Sequence, residues 1–372
     1  MAGFTRADNS LLGRWWWTVD RWTLGAVGTL IGVGYIMMLA ATPAVAERIG
    51  SSRDSFILKQ IVFLALAGAV VVGVSLLTPR ATRRFAIIGC AAALLLTAAT
   101  MIIGTEIKGA RRWITLPLIS LQPSEFLKPF FAVAAAWFIA EGRRTGSIWG
   151  MAAAFLVFGL IVGLLKLQPD IGMMAVIVAV FLAQLFVNGL HLVLVGVAAG
   201  AVVSIAIFAY SFFSHVRSRV DRFWYGEGDD YQVRTALEAF GNGGLLGRGA
   251  GEGRVKDSLP DAHADFVFAV MGEEFGMVVC LLLLMIFAFI VLRGLLRLMR
   301  EHDPFIVLAC TGLITGFGLQ AFINMASTLK LIPTKGMTLP FVSYGGSSAL
   351  AVAIGMGMLL ALTRKRHRED EG

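Results

Sequence analysis

Charged residues are scarce in this chain. Of its 372 residues, 15% are Asp, Glu, Lys or Arg and 57% are hydrophobic, whereas soluble domains average about 25% charged and about 45–50% apolar residues. This balance excludes an ordinary soluble protein. Apolar runs close to the ~20 residues that cross a bilayer recur along most of the chain. We therefore expect an integral membrane protein built as one polytopic domain.

Cysteine is also scarce, with 3 residues in the whole chain. Cys90, Cys280 and Cys310 each lie in an apolar segment, with no CxxC motif and no neighbouring His pair. The pattern gives no sign of a Cys/His metal site, and core packing explains the three thiols best. The formal net charge is +8, but the cations flank apolar runs instead of forming a basic stripe, which argues against nucleic-acid binding.

Apolar runs between charged residues predict an all-α fold of about ten transmembrane helices. The first run, Thr23 to Ala46, contains an Ala44-Val45-Ala46 sequence like a signal-peptidase site, but it exceeds the roughly 7–15 apolar residues of a signal peptide and is interpreted as a retained helix. The expected helices are 23–45, 57–78, 85–104, 124–140, 148–167, 171–187, 190–212, 264–292, 304–327 and 344–363.

Arginine and lysine residues indicate the orientation. The cations after the second, fourth, eighth and tenth runs fall on one side, which the positive-inside rule makes cytoplasmic. Both termini are then cytoplasmic, as segments 1–22 and 364–372 flanking a membrane domain of 23–363. A large loop, 213–263, lies outside the membrane between helices 7 and 8. Its glycine-rich "FGNGGLLGRGAGEGR" is compatible with a partly folded lid or with a solvated linker.

Ionisable residues at membrane depth are functional candidates by default. Glu125 and Lys128 in "QPSEFLKP" are three residues apart, which places them on one helix face as an ion pair that either serves function or only stabilises the bundle. Gln168 and Asp170 flank Pro169 at the end of the fifth helix. Asp170 is equally compatible with a helix cap and with a functional acid.

The stretch "PDAHADFVFAVMGEEFG" carries the strongest candidate. Asp265 begins the predicted eighth helix at the outer interface, where partial burial would make it a better base than a solvated Asp. Glu273, eight residues on, is about 80° around the helix from Asp265, and we expect it rather than Glu274 to face the same cavity. Helix capping by Asp265 is the alternative. His263 is expected to form interfacial hydrogen bonds.

Several outer-loop cations are exceptions to the positive-inside rule. An anionic lipid headgroup or a diphosphate at the outer surface would account for them, and surface scatter is the alternative. They are Lys108, Arg111, Arg112, Lys330 and Lys335. The segment "SYGGSSAL" adds Ser343 and glycines, which close helix packing explains.

The chain resembles the SEDS family (shape, elongation, division and sporulation) of peptidoglycan polymerases. The resemblance rests on "GARRWI", "QPSEFLKP", "QPDIG", "LPDAHADFVFAVMGEEFG" and "PTKGMTLPFVSYGGSS", in that order over most of the chain, and the last motif favours the division-associated branch. It implies a ten-helix bundle that acts on lipid II at the outer face of the cytoplasmic membrane, at the division septum. Asp265 corresponds to the catalytic aspartate, Glu125 and Lys128 to the cavity ion pair, and Asp170 to a further cavity acid.

The resemblance also implies binding partners, and the chain departs from the family pattern at one position. The partners are a class B penicillin-binding protein transpeptidase, other division proteins and membrane lipids, and Mg²⁺ is a candidate cofactor. Many relatives have a basic residue two positions before Gln122, where this chain has Ser120. The missing headgroup contact is therefore expected from Arg111, Arg112 or Lys335.

The chemistry of glycan extension is compatible with one base. An acceptor sugar hydroxyl displaces a lipid diphosphate, so Asp265 would take the hydroxyl proton while cations or Mg²⁺ stabilise the leaving group. A lipid II flippase would need a site open to both sides of the membrane, whereas the candidate residues map to the outer half. A division scaffold alone would not need buried ionisable residues.

Overall fold

The protein is a bundle of long helices in a computed structural model that describes residues 10–49, 53–107, 110–115, 120–190, 231–259, 261–333 and 336–365, with scattered positions between 193 and 221. The helices are α1 (Leu11–Thr18), α2 (Arg21–Ile49), α3 (Arg53–Ser75), α4 (Pro79–Ile103), α5 (Pro123–Thr145), α6 (Ile148–Leu167), α7 (Ile171–Val187), α8 (Tyr231–Gly243), α9 (Val255–Ser258), α10 (Val267–Leu298), α11 (Pro304–Thr328) and α12 (Gly346–Leu362).

The chain is a multi-pass membrane protein. Within the described residues, six helices are long and apolar enough to cross a membrane, namely α2, α3, α4, α6, α10 and α11, and the shorter apolar helices α7 and α12 accompany them. Helices α2 to α7 and α10 to α12 coincide with nine of the ten predicted segments. The remaining segment, 190–212, lies almost entirely outside the described residues.

The all-α expectation missed a small sheet. Strands β1 (Thr105–Ile107), β2 (Ala110–Thr115) and β3 (Ser120–Leu121) form an antiparallel sheet in the order β1-β2-β3, between α4 and α5. The sheet escaped prediction because its strands are two to six residues long, too short for an alternating pattern to be recognised. We call this end of the bundle the sheet end, and the opposite end, where α4 begins and α5 and α10 finish, the arginine-rich end.

Proline and small polar residues set the helix boundaries. Thr78 caps α4 through a hydrogen bond from the Ala81 amide, and Pro79 occupies the first turn, where no backbone donor is needed. Asp303 and Pro304 start α11 in the same way. Gly146 ends α5 in the left-handed region, with φ of 65°.

Helix α5 lies at the centre of the bundle. It packs against α4, α6, α7, α11 and α12, and its middle is an apolar stretch, 130–136, with every residue buried. The runs of alanine let neighbouring helices approach closely. The three cysteines are buried and form no disulfide, which confirms the packing role expected for them.

A charged cluster closes the arginine-rich end. The buried carboxylate of Asp20 accepts two hydrogen bonds from Arg293, at 2.7 and 2.8 Å, and one from Thr23 at 2.8 Å, and Arg297 lies 3.0 Å from it. Burial alone would raise the pKa of Asp20, but these hydrogen bonds and the two arginine charges outweigh it and hold the pKa below its ordinary value. Arg297 also donates to the Thr363 carbonyl at 2.8 Å, which joins the start of α2 to the ends of α10 and α12.

Helix α10 is broken near its first third. Gly276 has φ 79° and ψ 178°, a conformation that is essentially restricted to glycine. The segment 244–249 fills the break. Arg248 and Gly249 amides donate to the carbonyls of residues 273 and 274 at 3.0 Å, and the amides of residues 277 and 278 donate back to residues 244 and 245 at 3.0 and 3.2 Å. The loop that precedes α10 is therefore partly folded and hydrogen-bonded to the break.

Candidate functional site

The non-helical segment 336–343 organises the polar residues at the sheet end. Asp265 lies one residue before Phe266, the N-cap of α10, and that cap has no side-chain hydrogen bond. A Cβ on Gly336 would lie 3.3 Å from the Asp265 Oδ2 atom, so the carboxylate packs against this segment. Asn324 holds the two sides of this contact together. Its side-chain amide donates to the carbonyl of Asp265 at 2.9 Å and to the carbonyl of Met337 at 2.6 Å.

The predicted ion pair between Glu125 and Lys128 forms, and it joins the same segment. Lys128 Nζ lies 2.8 Å from Glu125 Oε2, and the two side chains are only 6% and 12% exposed. The ammonium also donates to Gln320 Oε1 at 2.6 Å, and the Gln320 amide donates to the Thr338 carbonyl at 3.0 Å. Thr338 and Ser348 share a hydrogen bond of 2.6 Å between their hydroxyls. The charged pair is thus connected to the segment that contacts Asp265.

Ser343 has a structural role beyond helix packing. Its hydroxyl donates to the Ala264 carbonyl at 2.6 Å and accepts from the Leu339 amide at 2.8 Å. The neighbouring Tyr344 amide donates to the His263 carbonyl at 2.8 Å. Burial lowers the pKa of His263, with the charge of Asp261 acting in the opposite direction. Segment 336–343 is therefore bonded along its length to the residues around Asp265.

A small cavity adjoins the ion pair. It has a volume of about 40 Å³ and lies between α5, α11 and α12, with Lys128 and Gln320 in its lining. That volume accommodates one or two water-sized groups. The ion pair is consequently not sealed by protein on all sides.

Asp170 belongs to a different group of contacts. Its carboxylate caps α7 by accepting from the Met173 amide at 3.2 Å, so the capping interpretation holds. Arg112 lies 3.5 Å from the same carboxylate and donates to the carbonyls of Gln168 at 2.8 Å and Pro169 at 2.7 Å. Gln168 in turn donates to the Thr100 hydroxyl at 2.6 Å. Arg112 therefore fastens the sheet to the turn between α6 and α7.

The other predicted cations differ in environment. Arg111 is half exposed and pairs with Glu106 across the sheet at 3.6 Å. Ser120 accepts a hydrogen bond from the Ser347 hydroxyl through its carbonyl at 3.0 Å. Lys335 lies outside the described residues.

Glu273 does not join Asp265 as predicted. It is fully buried and accepts hydrogen bonds from the amides of Arg254 at 3.0 Å and Val255 at 3.0 and 3.2 Å. Glu274, expected on the opposite side, is equally buried and binds Lys256 Nζ at 2.6 Å. The prediction treated α10 as an isolated helix, whereas the folded loop 244–256 wraps both carboxylates.

Sequence reasoning overlooked four polar residues, three at the site and one in the loop that precedes α10. Gln320 and Asn324 are four residues apart in an otherwise apolar helix, a spacing that places both amides on one face. This signal was available in "GLQAFINM". Thr338 and Lys256 carry no such signal, because their partners come from distant parts of the chain. Among the residues that the structure describes, no three His, Cys, Asp or Glu side chains are grouped to hold a metal ion.

These features define a class: a polytopic membrane protein with a buried ion pair and a carboxylate at one end of the bundle. The profile of the family FTSW_RODA_SPOVE, described as Cell cycle protein, matches residues 21–368. The chain belongs to this family, which confirms the SEDS resemblance.

The sequence is similar to those of relatives over nearly the whole chain. A protein of Caulobacter vibrioides, "Probable peptidoglycan glycosyltransferase FtsW", is 42% identical over 365 residues, which cover 98% of this chain and 94% of the relative. An Escherichia coli O6:H1 protein of the same name is 34% identical over 361 residues, covering 92% and 85%. These names agree with the division branch.

Solved structures share the fold. A chain from the structure described as "Structural coordination of polymerization and crosslinking by a peptidoglycan synthase complex" aligns with a TM-score of 0.76 and 27% identity over 93% of this chain and 97% of that chain. The rod shape determining protein RodA of Thermus thermophilus aligns with a TM-score of 0.68 and 27% identity over 94% and 97%.

Proposed function

We propose that this protein is a peptidoglycan glycosyltransferase that polymerises lipid II into glycan strands during cell division, with Asp265 as general base. The names of the relatives support the activity. The observation that carries the assignment of the base is the position of Asp265, which directly precedes the N-cap of α10 and packs against Gly336.

In the proposed reaction, the acceptor hydroxyl oxygen forms a bond to the anomeric carbon of the donor sugar. The bond from that carbon to the diphosphate breaks, and lipid diphosphate leaves with the electron pair. Asp265 receives the hydroxyl proton, and such general-base help is typically worth about 10²–10⁴-fold in rate. Asn324 positions the backbone of Asp265 through its hydrogen bond.

The leaving diphosphate needs positive charge. Lys128 is the buried cation that the contacts join to segment 336–343, and we propose that it stabilises the diphosphate. Lys335, which is close to this segment in sequence, is a second candidate cation. Arg112 is committed to the α6–α7 turn, and Arg111 pairs with Glu106 on the exposed face of the sheet. We therefore propose that Arg111 and Arg112 contact the substrate as it approaches the site and do not face the leaving diphosphate.

One set of ligands at the proposed site would suit Mg²⁺. In phosphate chemistry Mg²⁺ is commonly held by one or two carboxylates together with substrate phosphates, so Asp265 and the diphosphate would supply its ligands jointly. When bound, the ion would neutralise the leaving group. Proton removal by Asp265 and positioning by Asn324 do not depend on it.

The decisive experiment uses the purified protein, a class B penicillin-binding protein partner, lipid II and Mg²⁺, with glycan product followed on a gel. Asp265→Asn keeps the shape of the side chain but removes its basicity, and we expect product formation to fall by at least about 10²-fold. Asp261→Asn, in the same turn, is the matched control and should keep activity. Product at the wild-type rate from Asp265→Asn would reject the assigned base.

The proposed partner follows from the structural likeness. One aligned chain comes from a complex in which polymerization and crosslinking are coordinated, which supports pairing with a transpeptidase in the cytoplasmic membrane at the septum. A flippase is the second candidate, but Asp265, segment 336–343 and the start of α5 all lie at the sheet end. That asymmetry supports a site that works on one face.

A further inference from the structure

A large cavity lies at the arginine-rich end of the bundle, away from the proposed catalytic site. It has a volume of about 510 Å³ and is bounded by the start of α4, the end of α5 and the start of α11. Four arginines, a tryptophan and a phenylalanine are prominent in its lining, namely Arg80, Arg83, Arg143, Arg144, Trp137 and Phe305. The ion pairs and catalytic residues discussed above are not part of it.

Two acidic side chains also line the cavity, but both have other partners. Glu141 accepts hydrogen bonds from Arg144 at 2.7 and 3.2 Å. Asp303 caps α11 by accepting from the Phe305 amide at 2.9 Å. Among the residues that the structure describes, Arg83 and Arg143 have no carboxylate within ion-pair distance. The cavity therefore retains an excess of positive charge.

Three further features favour an anion. Helices α4 and α11 both begin at this cavity, so the positive ends of two helix dipoles point towards it. The Arg83 guanidinium lies 5.4 Å from the centre of the Trp137 ring, which holds its planar donors in place. The Trp137 Nε1 hydrogen is buried with no hydrogen-bond partner among the described residues. The positive-inside rule accounts for arginines at this end but not for their grouping around a cavity.

We propose that this cavity binds a phosphate group, and that the phosphate belongs to an anionic phospholipid of the cytoplasmic leaflet. Guanidinium groups match phosphate oxygens with paired hydrogen bonds, and basic pockets between transmembrane helices at the cytoplasmic side suit such headgroups. The apolar lining, with Trp137 and Phe305, suits the glycerol and first acyl carbons. Helix α4 continues from the cavity with apolar residues exposed at Ile88, Leu95 and Ile102.

The test measures binding to the full-length protein in a neutral detergent by calorimetry. The probes are dioctanoyl phosphatidylglycerol, dioctanoyl phosphatidylcholine and inorganic phosphate. The variant Arg83→Gln/Arg143→Gln is compared with Arg84→Gln/Arg300→Gln, a control at exposed arginines of the same end that do not line the cavity. At about fivefold per arginine, the cavity variant should bind phosphatidylglycerol about 25-fold more weakly, and the control should match wild type.

Each outcome decides the proposal. Binding of phosphatidylglycerol but not phosphatidylcholine, with the stated arginine dependence, supports a lipid headgroup. Inorganic phosphate binding as tightly as the lipid, with the same arginine dependence, would keep the phosphate site and overturn the lipid source. Equal losses in the cavity variant and the control, or no loss in either, would overturn the site. Arg143→Gln alone, at an exposed position, should lose about fivefold if the double variant fails to fold.

Discussion

Replacing Lys128 with Met removes one positive charge while keeping an unbranched side chain. The change leaves the Glu125 carboxylate, 12% exposed, without the ammonium 2.8 Å away, and deprives Gln320 Oε1 of its donor at 2.6 Å. Breaking a buried pair from one side costs about 3–5 kcal/mol, because the remaining charge is left uncompensated. We expect the free energy of unfolding of Lys128→Met to fall by about this amount.

The assay is a denaturant titration in mixed micelles, followed by intrinsic fluorescence. The same helix offers a matched control, since Glu141 and Arg144 have the same three-residue spacing but are exposed. Arg144→Met should change stability little, because exposed pairs contribute little. The double variant Glu125→Gln/Lys128→Met should recover part of the loss, since no unpaired charge remains. A Lys128→Met protein as stable as Arg144→Met would refute the burial argument.

Three further predictions concern the loop and the arginine-rich end. Lys256→Met should leave Glu274 without its ammonium partner, lower the free energy of unfolding by about 3–5 kcal/mol and speed proteolysis within 244–256. An unchanged cleavage rate would contradict this prediction. Gly276→Ala should cost at least about 1–3 kcal/mol in thermal unfolding, because alanine does not tolerate the φ of 79°. The pKa of Asp20 is lower in the folded protein than its ordinary value. The stability that the Asp20 carboxylate contributes should therefore be complete above about pH 4 and be lost as the pH falls further. Asp20→Asn should abolish this contribution in unfolding titrations.

The sequence was most informative where local pattern decides structure. Apolar runs located the helices, and the three-residue spacing of Glu125 and Lys128 predicted their contact, because both depend on helix geometry alone. It was least informative for Glu273, whose partners are amides of a loop about 20 residues earlier. Helix periodicity says nothing about which distant backbone will cover a given face.

The same reasoning applies to the residues of the candidate site. Asp265 stood out in the sequence because a carboxylate next to a membrane span is costly, whereas the proline beside Asp170 left a helix cap and a functional acid equally open. The residue that holds Asp265 in place, Asn324, comes from a helix nearly 60 residues away. Segment 336–343 has no regular secondary structure, so no periodic pattern indicated that it would connect the ion pair to Asp265.

The break in α10 also bears on assembly. Glu273 and Glu274 take their donors from segment 244–256, so both acids stay uncompensated until this segment folds back onto the helix. We expect variants that slow this docking to be degraded faster by membrane quality-control proteases, even when the finished molecule is active.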